Sequence, residues 1–153
     1  MNTFNITIKK ETLYKNEGGA VVGDICFCVG NWYFPEKAWD DFVVRILYWF
    51  SQKLIKLRFD KKKYLEFPFM EGDFKTSLSL NKENKVTVEF IEGDSFADQK
   101  ETILKTICIS FEDLKEEVKK SCKLLLDMKE SKELDFMYDY EDLKESYELL
   151  CKC

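Results

Sequence analysis

The sequence predicts an α+β fold. The expected core is one antiparallel sheet of about six strands, in the order ββ-α-ββββ-α-α, with a long aromatic helix packed on one face. Three observations lead there. Phe4, Ile6 and Ile8 alternate with polar residues, which is the period of a half-buried strand. Short alternating runs between residues 64 and 109 are punctuated by turn residues at 71–73, 81–84 and 92–94, as in an antiparallel meander with one wet face. Between these two regions, Asn31–Leu57 reads as a heavily apolar helix with an aromatic entry and holds Trp32, Trp39 and Trp49.

Each element has a local cause. After the first strand, Asn16-Glu17-Gly18-Gly19 is a turn signal, and a second strand over Ala20–Val29 should pair back as a hairpin. Its faces are Val21/Ile25/Phe27/Val29 and Val22/Asp24/Cys26/Cys28. Pro35 suits the first turn of a helix, and Glu36, Asp40 and Asp41 suit its positive end. That helix is expected to run to about Leu57, with Trp39, Phe42, Val43, Ile46, Phe50 and Leu54 at three- and four-residue spacing. The stripe is wide enough that the helix must be covered on more than one side or lie at an interface. Asp41 and Arg45 stand at i,i+4, the spacing of an ion pair.

Strands are then expected over Tyr64–Met70, Phe74–Leu80, Lys85–Ile91 and Thr102–Ile109. Ser110 followed by Glu112 and Asp113 reads as a helix N-cap with acids in the first turn. The helix should run to about Met128, with Phe111, Leu114, Val118, Cys122 and Leu125 on its apolar stripe. A last helix begins near Tyr140 or Glu141, with Leu143, Tyr147 and Leu150 on one side.

A chain of 153 residues is most simply one domain, 1–153: a sheet and central helix over 1–110, then acidic helices over 111–153. Hydrophobic content of 45% and 13 Phe, 7 Tyr and 3 Trp argue for a packed core and against disorder. The N-terminus lacks the apolar stretch of a signal peptide, and Phe42–Phe50 is too short to span a bilayer and carries Arg45. A cytoplasmic location is expected, with the six cysteines as free thiols. Cys26, Cys28, Cys108 and Cys122 are read as small core hydrophobes. Residues 1–110 are net neutral, whereas residues 111–153 carry 8 basic and 13 acidic side chains, so the formal charge of −5 sits in the C-terminal part. That asymmetry is either a solvated helical surface or a means of steering a cationic partner. A nucleic-acid binder would show a basic face, and only Lys53–Lys63 is locally basic. Neither a nucleic-acid nor a membrane partner is expected.

The chemistry-bearing motifs are few. The chain has no histidine, which rules out Ser-His-Asp and Cys-His mechanisms and His-containing zinc sites within it. No phosphate-binding glycine pattern follows a strand. Cys26-x-Cys28 and Cys151-x-Cys153 invite comparison with a four-thiolate zinc site, but such sites come from C-x₂₋₄-C knuckles in tight turns. No catalytic residue, metal or cofactor is expected, and the chain is read as a non-enzyme. The most suggestive stretch is Asp135-Phe136-Met137-Tyr138-Asp139-Tyr140-Glu141-Asp142, which alternates acids with large aromatics. Aromatics anchor interfaces and acids steer encounter. Alternatively, Phe136 and Tyr140 simply dock the last helix. The candidate binding residues are therefore Asp135, Tyr138, Asp139, Tyr140, Glu141 and Asp142, with Trp32 and Tyr33 at the entry of the aromatic helix.

The run Phe34-Pro35-Glu36-Lys37-Ala38-Trp39-Asp40-Asp41-Phe42-Val43-Val44, then Trp49 and Phe69-Met70-Glu71-Gly72-Asp73-Phe74, resembles small bacterial proteins in which a strand hairpin precedes a W-x-D-F-like helix and an F-x-x-G-x-φ hairpin. Some of these look like immunity proteins of contact-dependent or polymorphic toxin systems. The likeness covers about residues 20–92 and carries over no catalytic residue. It implies a binding protein that occludes a cationic toxin. The alternatives are a small-molecule-binding domain with a pocket between the aromatic helix and the sheet, and a homo-oligomer joined through Trp32, Trp39 and Trp49.

Overall fold

The computed structural model describes residues 3–60, 64–93, 100–136 and 139–153. The fold is α+β; the described residues form three α-helices and two antiparallel sheets in place of the single sheet expected. The first sheet is organised around β3 (Val21–Val29). β1 (Phe4–Ile8) pairs with residues 25–29 of β3, and β2 (Tyr14–Lys15) pairs with residues 21–22. A single turn of 3₁₀ helix, Lys10–Thr12, separates β1 from β2. β4 (Trp32–Phe34) and β5 (Asp40–Phe42) pair with residues 27–29 and 22–24 of β3. The two sets lie on opposite edges. Asp24 exchanges bonds with Lys9 and Thr12 on one side, and Ile25 N–H donates to Trp39 on the other. Gly23 is required where the 3₁₀ turn crosses β3, because a Cβ there would stand 2.6 Å from the Leu13 side chain.

Residues 35–42, expected to open the aromatic helix, instead form an excursion and β5. α1 runs over Val43–Phe59. The Phe34–Pro35 peptide is cis and Ala38 is left-handed, with φ 59°. The helix-start chemistry at Pro35 and the following acids is real, but the second edge of β3 offers long-range backbone pairing that local propensity does not outweigh. Both edges of β3 are taken by the nearest chain, and the meander pairs only with itself as a second sheet. That second sheet has the order β6 (Leu65–Pro68), β7 (Phe74–Leu80), β8 (Lys85–Glu92), β9 (Thr102–Ser110). At its β9 edge a bulge leaves Leu104 between the pairs Phe90/Lys105 and Ile91/Ile103. A bulge and an edge lysine both discourage pairing with another chain.

α1 lies at the centre, as its wide apolar stripe required. Phe50 is fully buried, 5.4 Å from the Phe27 ring of the first sheet and 4.8 Å from the Phe67 ring of the second. Phe34 and Phe90 continue this contact between sheets at 5.1 Å. α2 (Phe111–Glu130) starts where expected, with Asp113 N–H donating to the Ser110 side chain at 3.0 Å. Its Phe111, Leu114, Val118, Cys122 and Leu125 are all fully buried. From α2, Glu117 accepts from Ile6 N–H at 2.8 Å, on the edge of β1 that faces away from β3. α3 (Tyr140–Cys151) packs on α1, where the Ser51 and Ser146 hydroxyls meet and Gln52 donates to Ser146. Two serines at the crossing let the helices approach closely and satisfy each other's buried hydroxyls.

Candidate functional site

The acidic-aromatic segment divides into an inner and an outer set. Phe136 is fully buried, and the Tyr140 ring meets it edge-on at 5.8 Å, so these two aromatics dock α3. Tyr138 lies outside the described residues. Asp139 adopts φ 65° at the N-cap of α3 and turns inward, where its carboxylate pairs with the Arg45 guanidinium. The i,i+4 partner expected for Arg45 was Asp41, and that pairing does not form. Burial pushes the Asp139 carboxyl above its usual range, Arg45 opposes that shift, and Asp142 adds to it. Asp135 is exposed and pairs with Lys129 at 2.8 Å, which holds its carboxyl below the usual range.

Of the segment's exposed acids, Asp135 is engaged by Lys129, which leaves Glu141 and Asp142, and α3 adds Glu145 and Glu148 on the same outward side. Leu143, Ser146 and Leu150 hold the opposite side fully buried. The sequence reading did not single out Glu145 and Glu148. Their spacing from Glu141 by one and two helical turns was the available signal.

Trp32 and Tyr33 are adjacent on β4 and so point to opposite faces of the sheet. Trp32 packs inward against Phe90 at 5.2 Å, with Lys105 over its ring at 5.4 Å. Tyr33 points to the far face of β3, where Cys28 and Thr7 also stand. The two residues do not form one patch. Trp39 is half-buried against Phe74 at 5.3 Å and is not on the helix.

Asp41, read as one half of a surface pair, is 1% exposed. Its two oxygens accept four hydrogen bonds: from Trp39 Nε1 at 2.8 Å, and from the backbone N–H groups of Phe42, Met70 and Glu71 at 2.7, 3.2 and 3.1 Å. One carboxylate thus ties the β5–α1 junction of the first sheet to the β6–β7 turn of the second. A buried charge is stable there because every contact supplies a donor.

Cys26, Cys28 and Cys122 are buried as expected, but Cys108 is exposed on the outward face of β9. On an edge strand with one wet face the small-hydrophobe reading fails for alternate positions, and Cys108 is one of these. The two C-x-C pairs stand on different elements, β3 and the end of α3. Among the described residues no group of three or more Cys, Asp or Glu side chains is placed to share a metal ion. The space between α1 and the sheets is filled by the Phe27, Phe50 and Phe67 rings. Among the described residues, concavities lie elsewhere: on the far face of β3, along the outer side of α2, and where the start of β1 meets Lys85 and the end of β9.

Comparison with protein-family models, curated proteins and solved structures finds no match for this chain. No described helix is long and apolar enough to cross a membrane.

Proposed function

We propose that this chain is a cytoplasmic protein-binding module whose acidic C-terminal surface covers a cationic site on its partner, as an immunity-type inhibitor would cover a toxin. The supporting observation is the outward side of α3. Glu141, Asp142, Glu145 and Glu148 are all exposed on a helix whose inner side is fixed by Leu143, Ser146 and Leu150. Lys144 and Lys152 are exposed on the same side, so the surface is mixed but acidic on balance, and a fixed surface of net negative charge accelerates encounter with a cationic one at low cost in ordering. Asp139 and Asp135 are excluded from the contact set, because each already has a cation.

The test begins with capture of a partner from the native host. Association is then measured for a variant with Glu141, Asp142, Glu145 and Glu148 changed to the corresponding amides. The expected result is a k_on reduced about tenfold or more at low salt, with a flattened salt dependence, because exposed charges are screened over about 8 Å at physiological ionic strength. An unchanged k_on with an unchanged salt slope would remove α3 from the interface.

A further inference from the structure

The far face of β3 carries two thiols that the protein-binding reading does not use. Cys26 and Cys28 are consecutive positions on one face of a strand paired along both edges, and their Sγ atoms lie 3.8 Å apart. They are 3% and 6% exposed. The Cys28 sulfur also meets Thr7 Oγ1 at 3.1 Å. Each thiol borders a concavity. The one at Cys26 is about 180 Å³, with Lys9, Asp24 and Lys37 in its wall. The one at Cys28 is about 500 Å³, with Glu117 and Lys120 in its wall. Thr7 and Tyr33 line both.

Strand geometry limits what this pair can do. Same-face neighbours on a strand have Cα atoms roughly 6.6–6.8 Å apart, the outer limit for a disulfide, whose sulfurs must close to about 2.05 Å. Closing it would buckle β3 out of two ladders at once. Seating a single ion between the sulfurs, with two metal–sulfur bonds of about 2.3 Å each, asks them only to move apart from 3.8 Å to at most about 4.6 Å, a side-chain rotation that leaves both ladders in place. Two sulfurs with no imidazole in the chain suit a soft monovalent ion.

We propose that Cys26 and Cys28 form a two-thiolate binding site for one Cu(I) ion on the far face of β3. This is distinct from the four-thiolate zinc arrangement that the two C-x-C pairs suggest, and it needs only one of them. Loading exchanges two protons for one cation: two Cys thiols and Cu(I) give a bis-thiolate complex of charge −1 and two H⁺, with no change of oxidation state. Lys9, Lys37 and Lys120 supply countercharge, while Asp24 and Glu117 oppose it.

The test uses the full chain with Cys108, Cys151 and Cys153 changed to Ser, so that the outer thiols cannot compete. Cu(I) is titrated anaerobically against a chromophoric Cu(I) chelator. The expected result is one equivalent withdrawn per chain, with native mass spectrometry showing the gain of one copper and the loss of two protons. Adding Cys26→Ser or Cys28→Ser should weaken binding at least 100-fold. The cysteine Cβ NMR signals of the parent protein provide a readout that needs no further variant: those of Cys26 and Cys28 should move on loading while that of Cys122 stays. Absence of copper uptake, retention of copper by both serine variants, or unmoved Cys26 and Cys28 signals would each overturn the site.

Discussion

Arg45, in the first turns of α1, pairs with Asp139, 94 residues later at the start of α3. The side chains are 25% and 10% exposed, so the pair is partly withdrawn from water. Arg45 also lies over the Tyr48 ring, 5.2 Å from its centroid. Replacing Arg45 by Met leaves the buried carboxylate without its cation and should cost roughly 1–3 kcal/mol in urea unfolding at pH 7, discounted for the remaining exposure.

The same variant carries a pH signature. Asp139 already titrates above its ordinary range through burial, and losing Arg45 raises it further. The folded state then holds a proton at pH values where the unfolded state has released it. Stability is therefore retained at low pH and lost as pH rises through the folded-state pKa. The Arg45→Met deficit should shrink between pH 7 and pH 4, and Asp139→Asn should remove that pH dependence. A deficit that stays constant with pH would show that Arg45 acts through packing on Tyr48 alone.

Asp40 and Asp41 are adjacent and chemically alike, but their substitutions should differ sharply. Asp41→Asn keeps one accepting oxygen but turns an NH₂ group toward two of the four donors, and should cost roughly 2–4 kcal/mol. Asp40 is exposed, and Asp40→Asn should stay within about 0.5 kcal/mol. Equal effects in urea titration would contradict the role of Asp41 as the link between the sheets.

Phe50 is the side chain through which α1 joins the two sheets. Phe50→Ala should cost about 3–5 kcal/mol, as large-to-small core changes do. Trp49→Ala, one position earlier and half-buried, should cost clearly less. A loss below about 1 kcal/mol at Phe50 would contradict its central placement.

Alkaline stability should report on Cys122. Burial raises its thiol from 9.0 to about 12, so the folded state keeps a proton that the unfolded state releases from pH 9 upward. Its contribution is complete below pH 9 and is lost as pH rises toward 12. The alkaline limb of the stability curve should therefore be flatter in Cys122→Ala than in the parent, and parallel limbs would contradict the assignment.

The sequence by itself determined the elements whose signals are local. β1, β7, α2 and α3 follow from period-two or period-3.6 patterning, turn residues and the Ser110 cap, because those contacts fall within a few residues. The width of the apolar stripe on α1 also required a helix covered on several sides. Only the tertiary structure decided the rest. Helix-start chemistry at 35–42 gave way to pairing with β3, because a free strand edge offers backbone hydrogen bonds that no local window contains. The nearest chain filled both edges of β3, and the meander paired only with itself, so two sheets stand in place of the expected one. Two of the four partners of Asp41, Met70 and Glu71, lie 29 and 30 residues away and that of Arg45 lies 94 away, so these could not be read from spacing. The candidate surface divided for the same reason. Periodicity shows which acids share a side of α3, but only packing shows that Asp139 turns inward to a cation while Glu141 and Asp142 remain in water.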